Sequence, residues 1–205
     1  MPFFQERPGK ISQIRKFNTR FNNPYLRIMI FLLTGDSGSG KTTLLKELAS
    51  QFTANGIITG GFTAPGSWLN GKRSGFTLHD LYNKLDYVLA ETGKSGSEMY
   101  GRFVFNEETL KSGNHLLSTQ AAQNDIDLIV VDEVGPYELS GKGWAPALNI
   151  LAKSPRPQIW AVRPELIADV QSSWAFTPSA VFPVLHQKAD DIFQKICKQC
   201  NFPLK

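Results

Sequence analysis

Short apolar runs and stretches with helical spacing alternate along the chain. Residues 26–34 are almost wholly apolar, and residues 127–132 are apolar and rich in β-branched side chains. Continuous apolar runs of this length are typical of parallel strands that are covered on both faces. Behind the first run, the leucines of residues 43–52 recur at the spacing of one helix face. The pattern predicts an α/β domain with a mainly parallel central sheet and helices on both faces.

Weaker patterns predict the remaining elements. Strands are expected at residues 56–64, 73–78, 84–90, 103–105, 158–162 and 179–182. Helices are expected at residues 107–123, 144–152, 164–174 and 189–200. The strands at 73–78 and 84–90 are interpreted as antiparallel additions to the sheet, and residues 65–72 as a turn-rich connection.

A complete G-x-x-x-x-G-K-[ST] phosphate-binding loop lies between the first strand and the first helix. Its glycines allow the backbone N–H groups to face phosphates, and the helix N-terminus adds positive potential. Lys41 is expected to reach the β- and γ-phosphates, and the Thr42 hydroxyl to coordinate Mg²⁺. The predicted nucleotide-binding residues are Gly35, Asp36, Ser37, Gly38, Ser39, Gly40, Lys41, Thr42 and Thr43.

Two acidic residues end the apolar strand at 127–132, which is a Walker B pattern. Asp132 is predicted to hold the Mg²⁺ shell together with Thr42. Glu133, the next residue, is predicted to orient or deprotonate the attacking water. Because a base beside the metal-binding carboxylate favours water as the acceptor, the motif pair indicates hydrolysis of a nucleoside triphosphate.

Two further residues are candidates for catalysis, each with a structural alternative. Arg163 follows a predicted central strand, where its charge could contact the γ-phosphate. Glu138 could share the activation of water with Glu133, or it could cap a helix. A structural salt bridge is the alternative for both residues. Arg73 and Arg102 are also available for the γ-phosphate, and the sequence does not choose among the three arginines.

Composition restricts the remaining possibilities. The 205 residues are 41% hydrophobic, enough for one domain, predicted at residues 26–205. No apolar run approaches the roughly 18 residues that a membrane-spanning helix needs, and the N-terminus lacks the apolar segment of a signal peptide. Two cysteines are too few for a disulfide framework, which predicts a protein of the reducing cytoplasm.

The net charge of +4 is concentrated near the N-terminus. Residues 1–25 form a predicted basic extension before the domain, and two readings of it are open: a solvated segment, or an arm that binds nucleic acid or a membrane. We favour the solvated segment, because the basic residues are spread out and the aromatic content is ordinary.

Several motif-like fragments are interpreted as coincidences. Residues 83–86 match the guanine-reading N-K-x-D, but they precede the D-x-x-G at 132–135, whereas in Ras-like chains they follow it. Cys197 and Cys200 form a C-x-x-C without a second ligand pair, so neither zinc nor redox chemistry is expected. The three histidines share no spacing that a metal site requires.

Six segments, taken together and in order, resemble the small nucleoside-triphosphatases of the THEP type. They are residues 35–44, 61–62, 72–76, 101–104, 131–139 and 161–163. The stretch Asp-Glu-Val-Gly-Pro-Tyr-Glu-Leu at 132–139 is the most specific of them. The resemblance covers residues 28–195 and implies a RecA-like P-loop NTPase fold. It also implies slow, broad-specificity hydrolysis of ATP, GTP and other nucleoside triphosphates.

Two other functions remain open beside hydrolysis. A phosphotransferase would pass the γ-phosphate to a nucleotide or another small molecule, and it usually carries a mobile arginine-rich lid, of which the sequence has no clear sign. A nucleotide-gated binding module would turn over only slowly unless a partner were present. The preferred base and the oligomeric state are not predicted.

Overall fold

The computed structural model describes residues 27–96 and 98–204, so the predicted extension at 1–25 lies outside the described residues. Within them, ten strands form one mixed sheet. In chain order they are β1 (Ile30–Thr34), β2 (Thr59–Thr63), β3 (Gly66–Leu69), β4 (Lys72–Asp80), β5 (Asp86–Thr92), β6 (Met99–Tyr100), β7 (Phe103–Phe105), β8 (Leu128–Val134), β9 (Gln158–Val162) and β10 (Ala180–Pro183).

The helices follow the strands in the order that the hydrophobic pattern predicts. They are α1 (Lys41–Ala54), α2 (Glu107–Ala122), α3 (Pro136–Leu139), α4 (Ala145–Leu151), α5 (Ile167–Trp174) and α6 (Ala189–Cys200). The helix predicted at 164–174 begins as a 3₁₀ turn at Pro164–Leu166 before α5. The short helix α3, which directly follows the acidic strand end, was not predicted.

Five strands form a parallel half of the sheet in the order β10-β1-β9-β8-β2. One strand, β9, lies between β1 and β8, so the mixed sheet has the strand order of a RecA-like P-loop fold. The predicted fold class is confirmed. Because parallel strands point the same way, the carboxyl ends of β1, β2, β8 and β9 lie at one edge, where ligands of open α/β sheets bind.

Helices cover both faces of the parallel half, and alternate residues of each strand point to opposite cores. Ile30 and Leu32 of β1 pack with residues of α2, α4 and α5 on one face. Phe31 and Leu33 pack with α1 and α6 on the other. All four side chains have no solvent exposure, which explains why this strand reads as a continuous apolar run.

The other strands form an antiparallel half that extends the sheet from β2 in the order β4-β5-β7-β6, and β3 pairs with the first part of β4. The prediction of a turn-rich connection at 65–72 was wrong, because these residues include the whole of β3 and the turn of the β3–β4 hairpin. Its turn is Asn70-Gly71, with φ of 49° and 71°, as a two-residue hairpin turn requires. Trp68 and Leu69 on β3 are 64% and 65% exposed, so this strand has no buried face to reveal it.

One glycine lets β2 approach β8 closely. Gly61 has a φ of 79°, and a Cβ atom there would collide with the carbonyl oxygen of Val130. Only glycine adopts this backbone conformation without strain and leaves the necessary space. The glycines that interrupt the apolar pattern of β2 therefore belong to the strand and do not end it.

None of the described helices is both long and apolar enough to cross a membrane.

Candidate active site

The phosphate-binding loop connects β1 to α1 at the ligand-binding edge of the sheet. Gly40, at the N-cap of α1, has a φ of 97° and supplies no side chain to cap the helix. The first backbone N–H groups of α1 therefore have no side-chain acceptor from the cap, and they are the groups that a phosphate binds at a helix N-terminus.

Lys41 lies at the first position of α1 and is only 6% exposed. Its Nζ atom donates to the carbonyl oxygens of Gly35 and Asp36 at 2.6 and 2.9 Å. Burial lowers the pKa of this ammonium, while the nearby carboxylates of Glu133 and Asp132 raise it. The loop thus holds a buried cation against its own carbonyl groups.

The two predicted metal anchors, Thr42 and Asp132, lie together. Asp132 is fully buried, and its two oxygens accept hydrogen bonds of 3.0 Å from the N–H groups of Ala64 and Glu133. The Thr42 hydroxyl lies close enough to this carboxylate to stabilise its charged form. Burial raises the pKa of Asp132, and these hydrogen bonds oppose the shift. A buried carboxylate beside a hydroxyl is a set of oxygen donors that suits Mg²⁺.

Glu133 takes a backbone conformation that the sequence did not predict. Its φ of 59° is in the left-handed region, and the pairing of β8 with β9 shifts register between Val131 and Val134. Burial and the neighbouring Asp132 raise the pKa of Glu133. Three cations oppose this shift, and they are Lys41, Arg73 and Arg163. The irregular strand end therefore places this carboxylate among cations from three separate elements.

Arg163 follows β9, and its side chain lines the same cavity as Lys41 and Glu133. Within residues 27–96 and 98–204 it forms no ion pair, so the structural salt bridge that we considered for it is not seen there. Its charge lies close enough to Lys41 and Glu133 to lower the pKa of both groups.

Arg73 was an available arginine in the sequence without an assigned position, and the structure brings it into the site. Its guanidinium carbon lies 5.1 Å from the ring centroid of Trp68 and 5.2 Å from that of Phe76. The Nε atom is buried and has no hydrogen-bond partner among the described residues. The two rings that hold this arginine come from both strands of a hairpin, so no contiguous motif announces it.

Glu138 occupies a structural position. One oxygen accepts from the N–H group of Gly135 at 2.9 Å, and the other accepts from that of Trp144 at 3.4 Å. Gly135 is the N-cap of α3, so the carboxylate caps this helix and also holds the loop that leads to α4. Burial raises the pKa of Glu138 to about 8. Of the roles predicted for this residue, the hydrogen bonds support capping.

The sequence coincidences have structural explanations. Asn83 lies in the β4–β5 turn and donates its amide to Asp80 at 2.7 Å, so the N-K-x-D fragment is part of a tight turn. Cys197 and Cys200 are both buried in α6, and burial raises their pKa values to about 11 and about 12. Such thiols stay protonated and unreactive.

Two cavities meet at these residues. The first, called the phosphate cavity, has a volume of about 280 Å³ and is lined by Gly38, Gly40, Thr42 and Thr43 of the loop and helix. The second, called the aromatic cavity, has a volume of about 250 Å³ and is lined by Phe76, Tyr100, Phe103, Phe105, Tyr137 and Trp144. Five residues line both of them: Lys41, Ala64, Arg73, Phe76 and Glu133.

Comparison with known proteins gives a consistent result. Residues 30–197 match the family described as NTPase. A nucleoside-triphosphatase THEP1 from Methanopyrus kandleri is 35% identical over 133 residues, which are 64% of this chain and 71% of that protein. The protein of the same name from Pyrococcus abyssi is 32% identical over 139 residues, 68% of this chain and 76% of that protein.

Two solved structures share the fold. The crystal structure of THEP1 from Aquifex aeolicus has a TM-score of 0.65 at 18% identity and covers 84% of this chain and 99% of that one. The solution structure of a human cancer-related nucleoside triphosphatase has a TM-score of 0.64 at 19% identity and covers 86% of this chain and 100% of that one. The resemblance that the six sequence segments indicated is therefore confirmed.

Proposed function

The chain belongs to the NTPase family and hydrolyses nucleoside triphosphates, and we propose that it does so with Mg²⁺, the phosphate loop and Glu133 as the base. This proposal is best supported by the position of four residues at one edge of the sheet. They are the buried Lys41, the oxygen pair Thr42 and Asp132, and Glu133. Together they supply a cation for the phosphates, anchors for a metal and a base for water.

The phosphate loop binds the triphosphate in this proposal. Residues 35–43 direct their N–H groups at the β- and γ-phosphates, and Lys41 exchanges its bonds with loop carbonyl groups for bonds with phosphate oxygens. Because the buried ammonium already has reduced contact with water, it interacts strongly with phosphate charge. Contacts with phosphates do not distinguish one nucleobase from another, which is consistent with several nucleoside triphosphates as substrates.

Thr42 and Asp132 are the proposed protein anchors of Mg²⁺. Hydroxyl and carboxylate oxygens fit its preference, and a fully buried carboxylate with a raised pKa gains from a cation beside it. When bound, Mg²⁺ neutralises charge that develops on the phosphates.

Glu133 takes a proton from the water whose oxygen attacks the γ-phosphorus. The bond from phosphorus to the β,γ-bridging oxygen breaks, so the products are a nucleoside diphosphate and inorganic phosphate. Burial of Glu133 beside Asp132 raises its pKa, which makes it a stronger base than an exposed glutamate. Arg163 and Arg73 are proposed to contact the γ-phosphate and to stabilise its charge in the transition state.

Glu138 is assigned a positioning role. Its two backbone contacts tie Gly135 to Trp144 and so fix the loop that follows Glu133. We place the reaction in the cytoplasm, because Cys197 and Cys200 are free and buried and need no oxidising environment. Nucleic acid has no part in this proposal, since the basic extension lies outside the described residues.

Replacement of Glu133 by Gln tests the base. The variant keeps the size of the side chain but cannot accept the proton, so kcat should fall by about 10²–10⁴-fold. The affinity for a non-hydrolysable triphosphate, measured by calorimetry, should stay near that of the parent. Glu165→Gln, at an exposed position two residues after Arg163, is the matched control and should leave both values unchanged. A Glu133→Gln protein with the parent kcat would exclude this residue as the base.

Removal of the metal tests the anchors. Chelation should abolish phosphate release, and Mg²⁺ or Mn²⁺ should restore it. Asp132→Asn should raise the Mg²⁺ concentration needed for half-maximal activity, because the amide lacks the charge that holds the cation. Undiminished phosphate release in excess chelator would show that this site is wrong.

A further inference from the structure

The aromatic cavity has a composition that hydrolysis alone does not explain. Phe76, Phe103 and Phe105 line it while remaining half-buried. The rings of Phe76 and Phe103 lie 5.0 Å apart, as do those of Phe105 and Tyr137. Apolar surface left next to water costs about 25 cal/mol per Å² compared with buried surface. Water, the acceptor in hydrolysis, does not need such walls.

The position of this cavity places it at the γ-phosphate end of the triphosphate. It shares Lys41, Ala64, Arg73, Phe76 and Glu133 with the phosphate cavity, but Thr42 and Thr43 line only the phosphate cavity. This step rests on the proposed function, in which Lys41 and Glu133 face the γ-phosphate and the attacking water. The nucleobase lies at the opposite end of a bound nucleoside triphosphate from the γ-phosphate, so it does not compete for the aromatic cavity.

Cations outnumber available anions along its lining. The side chains of Arg73, Arg102 and Arg163 all line the cavity. The guanidinium carbon of Arg102 lies 5.1 Å from the ring centroid of Phe103. One of its terminal nitrogens donates to the carbonyl oxygen of Arg73 at 2.8 Å. Two carboxylates are present. Glu138 is committed to two backbone N–H groups, which leaves Glu133 as the one carboxylate of this lining directed toward the cations. The excess of guanidinium groups favours an anionic ligand group.

A pocket with aromatic walls and a few convergent charged groups is the usual form of a small-molecule site. We propose that the aromatic cavity binds a second small molecule, a planar apolar ring that carries an anionic group, while the triphosphate occupies the phosphate loop. The ring packs between Phe76, Phe103 and Phe105, and the anionic group bonds to Arg102. The ligand then lies beside Glu133 and controls the access of water to the γ-phosphate.

Phenyl phosphate is the probe, with phenol and inorganic phosphate as its two halves. The full chain is first saturated with Mg²⁺ and a non-hydrolysable triphosphate analogue, so that the phosphate loop is filled. Calorimetric titration should then show saturable binding of phenyl phosphate. This binding should be at least about tenfold tighter than that of either half, because a bond to a charged group alone contributes about 1.5–3 kcal/mol.

Two substitutions in the lining separate the ring from the charge. Arg102→Gln should weaken binding of phenyl phosphate by about tenfold or more and leave phenol unaffected. Phe103→Leu keeps an apolar wall but removes the ring, and it should weaken both aromatic probes by about two- to tenfold. The matched controls are Lys94→Gln and Tyr87→Leu, at positions outside the cavity, and they should bind phenyl phosphate as the parent does.

Three results would overturn the proposal. The first is the absence of saturable binding at millimolar phenyl phosphate. The second is an affinity for phenyl phosphate that neither lining substitution changes. The third is an affinity for phenyl phosphate that varies with the nucleobase of the bound analogue. The last result would place the nucleobase of the analogue in the aromatic cavity. A protein that binds the triphosphate analogue but not phenyl phosphate contradicts only this inference, whereas failure to bind the analogue contradicts the phosphate-loop assignment.

Discussion

The parallel and antiparallel halves of the sheet contribute to the site in different ways. The parallel half supplies Lys41 and Thr42 at the start of α1, after the loop that follows β1, and it supplies Asp132 and Glu133 near the end of β8. The antiparallel half supplies Arg73 and much of the aromatic cavity from hairpins whose outer residues are exposed. The site residues at the ends of buried strands fall in short contiguous motifs of the sequence. The site residues on hairpins come from separate strands.

This contrast suggests a division of tasks. In the proposed mechanism, the parallel half binds the metal and the phosphates that every nucleoside triphosphate shares. The antiparallel half would supply an arginine that adjusts the rate and an apolar surface that admits a second ligand. Substitutions in the two halves should therefore differ in what they change as well as in how much.

The largest effect is expected from Lys41→Ala in the parallel half. The substitution removes a buried cation from the β- and γ-phosphates, so triphosphate binding and hydrolysis should both be lost. The rate should fall by more than about 10³-fold, because ground-state binding and transition-state stabilisation disappear together. Phosphate release and calorimetric binding of a triphosphate analogue are the two measurements.

Lys153→Ala, at an exposed position after α4, is the control for loss of a positive charge and should behave as the parent does. A folded Lys41→Ala protein that hydrolyses at the parent rate would remove the basis of the comparison, because the phosphate loop would then not be the site.

A smaller effect is expected from Arg73→Ala in the antiparallel half. Removal of one group that stabilises transition-state charge costs about 10²–10³-fold in kcat, while analogue binding should change much less. Trp68→Ala leaves the arginine but removes one of the two rings that hold it. An exposed cation–π contact contributes about 0.5–1 kcal/mol, so this variant should lose about two- to fivefold. Steady-state kinetics of both variants measure the difference.

The neighbouring Lys72→Ala is the matched control, because Lys72 lines neither cavity. If Arg73→Ala hydrolyses at the parent rate, Arg73 has no part in the chemistry, and Arg163 and Arg102 remain as candidates for the γ-phosphate.

The smallest effect on the rate is expected from Glu138→Gln, which instead changes the dependence of stability on pH. Burial raises the pKa of Glu138 from 4.5 to about 8, so between these values the unfolded chain releases a proton that the folded chain retains. The free energy of unfolding should therefore decrease as the pH rises from 5 toward about 8. Glutamine cannot ionise, and its variant should lose this part of the slope.

Urea unfolding of both proteins between pH 5 and pH 8, without nucleotide, is the measurement. Glutamine has one side-chain oxygen, whereas both oxygens of Glu138 accept from backbone N–H groups. The free energy of unfolding of the variant should therefore also be about 1–3 kcal/mol lower at pH 5. Parallel stability curves for the two proteins would contradict a raised pKa. A large loss of kcat would instead support the water-activating alternative for Glu138.

The same contrast explains how much of the molecule could be predicted from its sequence. The bounds of β9 and α6 agree with the prediction, because each carries a strong apolar pattern. The residues of both nucleotide motifs were found for the same reason, and the structure brings them together. Their individual roles remain predictions.

The features that were missed depend on distant contacts or on exposed backbone. Strand β3 has two exposed apolar residues and no buried face, although its Asn70-Gly71 turn was visible in the sequence. The position of Arg73 depends on rings from two strands. The left-handed backbone of Glu133 coincides with a register shift between neighbouring strands, and no local pattern reports such a shift.

That backbone conformation has a consequence for protein engineering. A left-handed φ of 59° at a residue other than glycine costs about 1–2 kcal/mol. Glycine at position 133 would relieve this cost, yet it would remove the carboxylate. We therefore expect a library selected for heat resistance alone to accumulate chains with glycine at this position, which lack the proposed base. Durability and turnover compete here for a single side chain, and any selection scheme has to reward both.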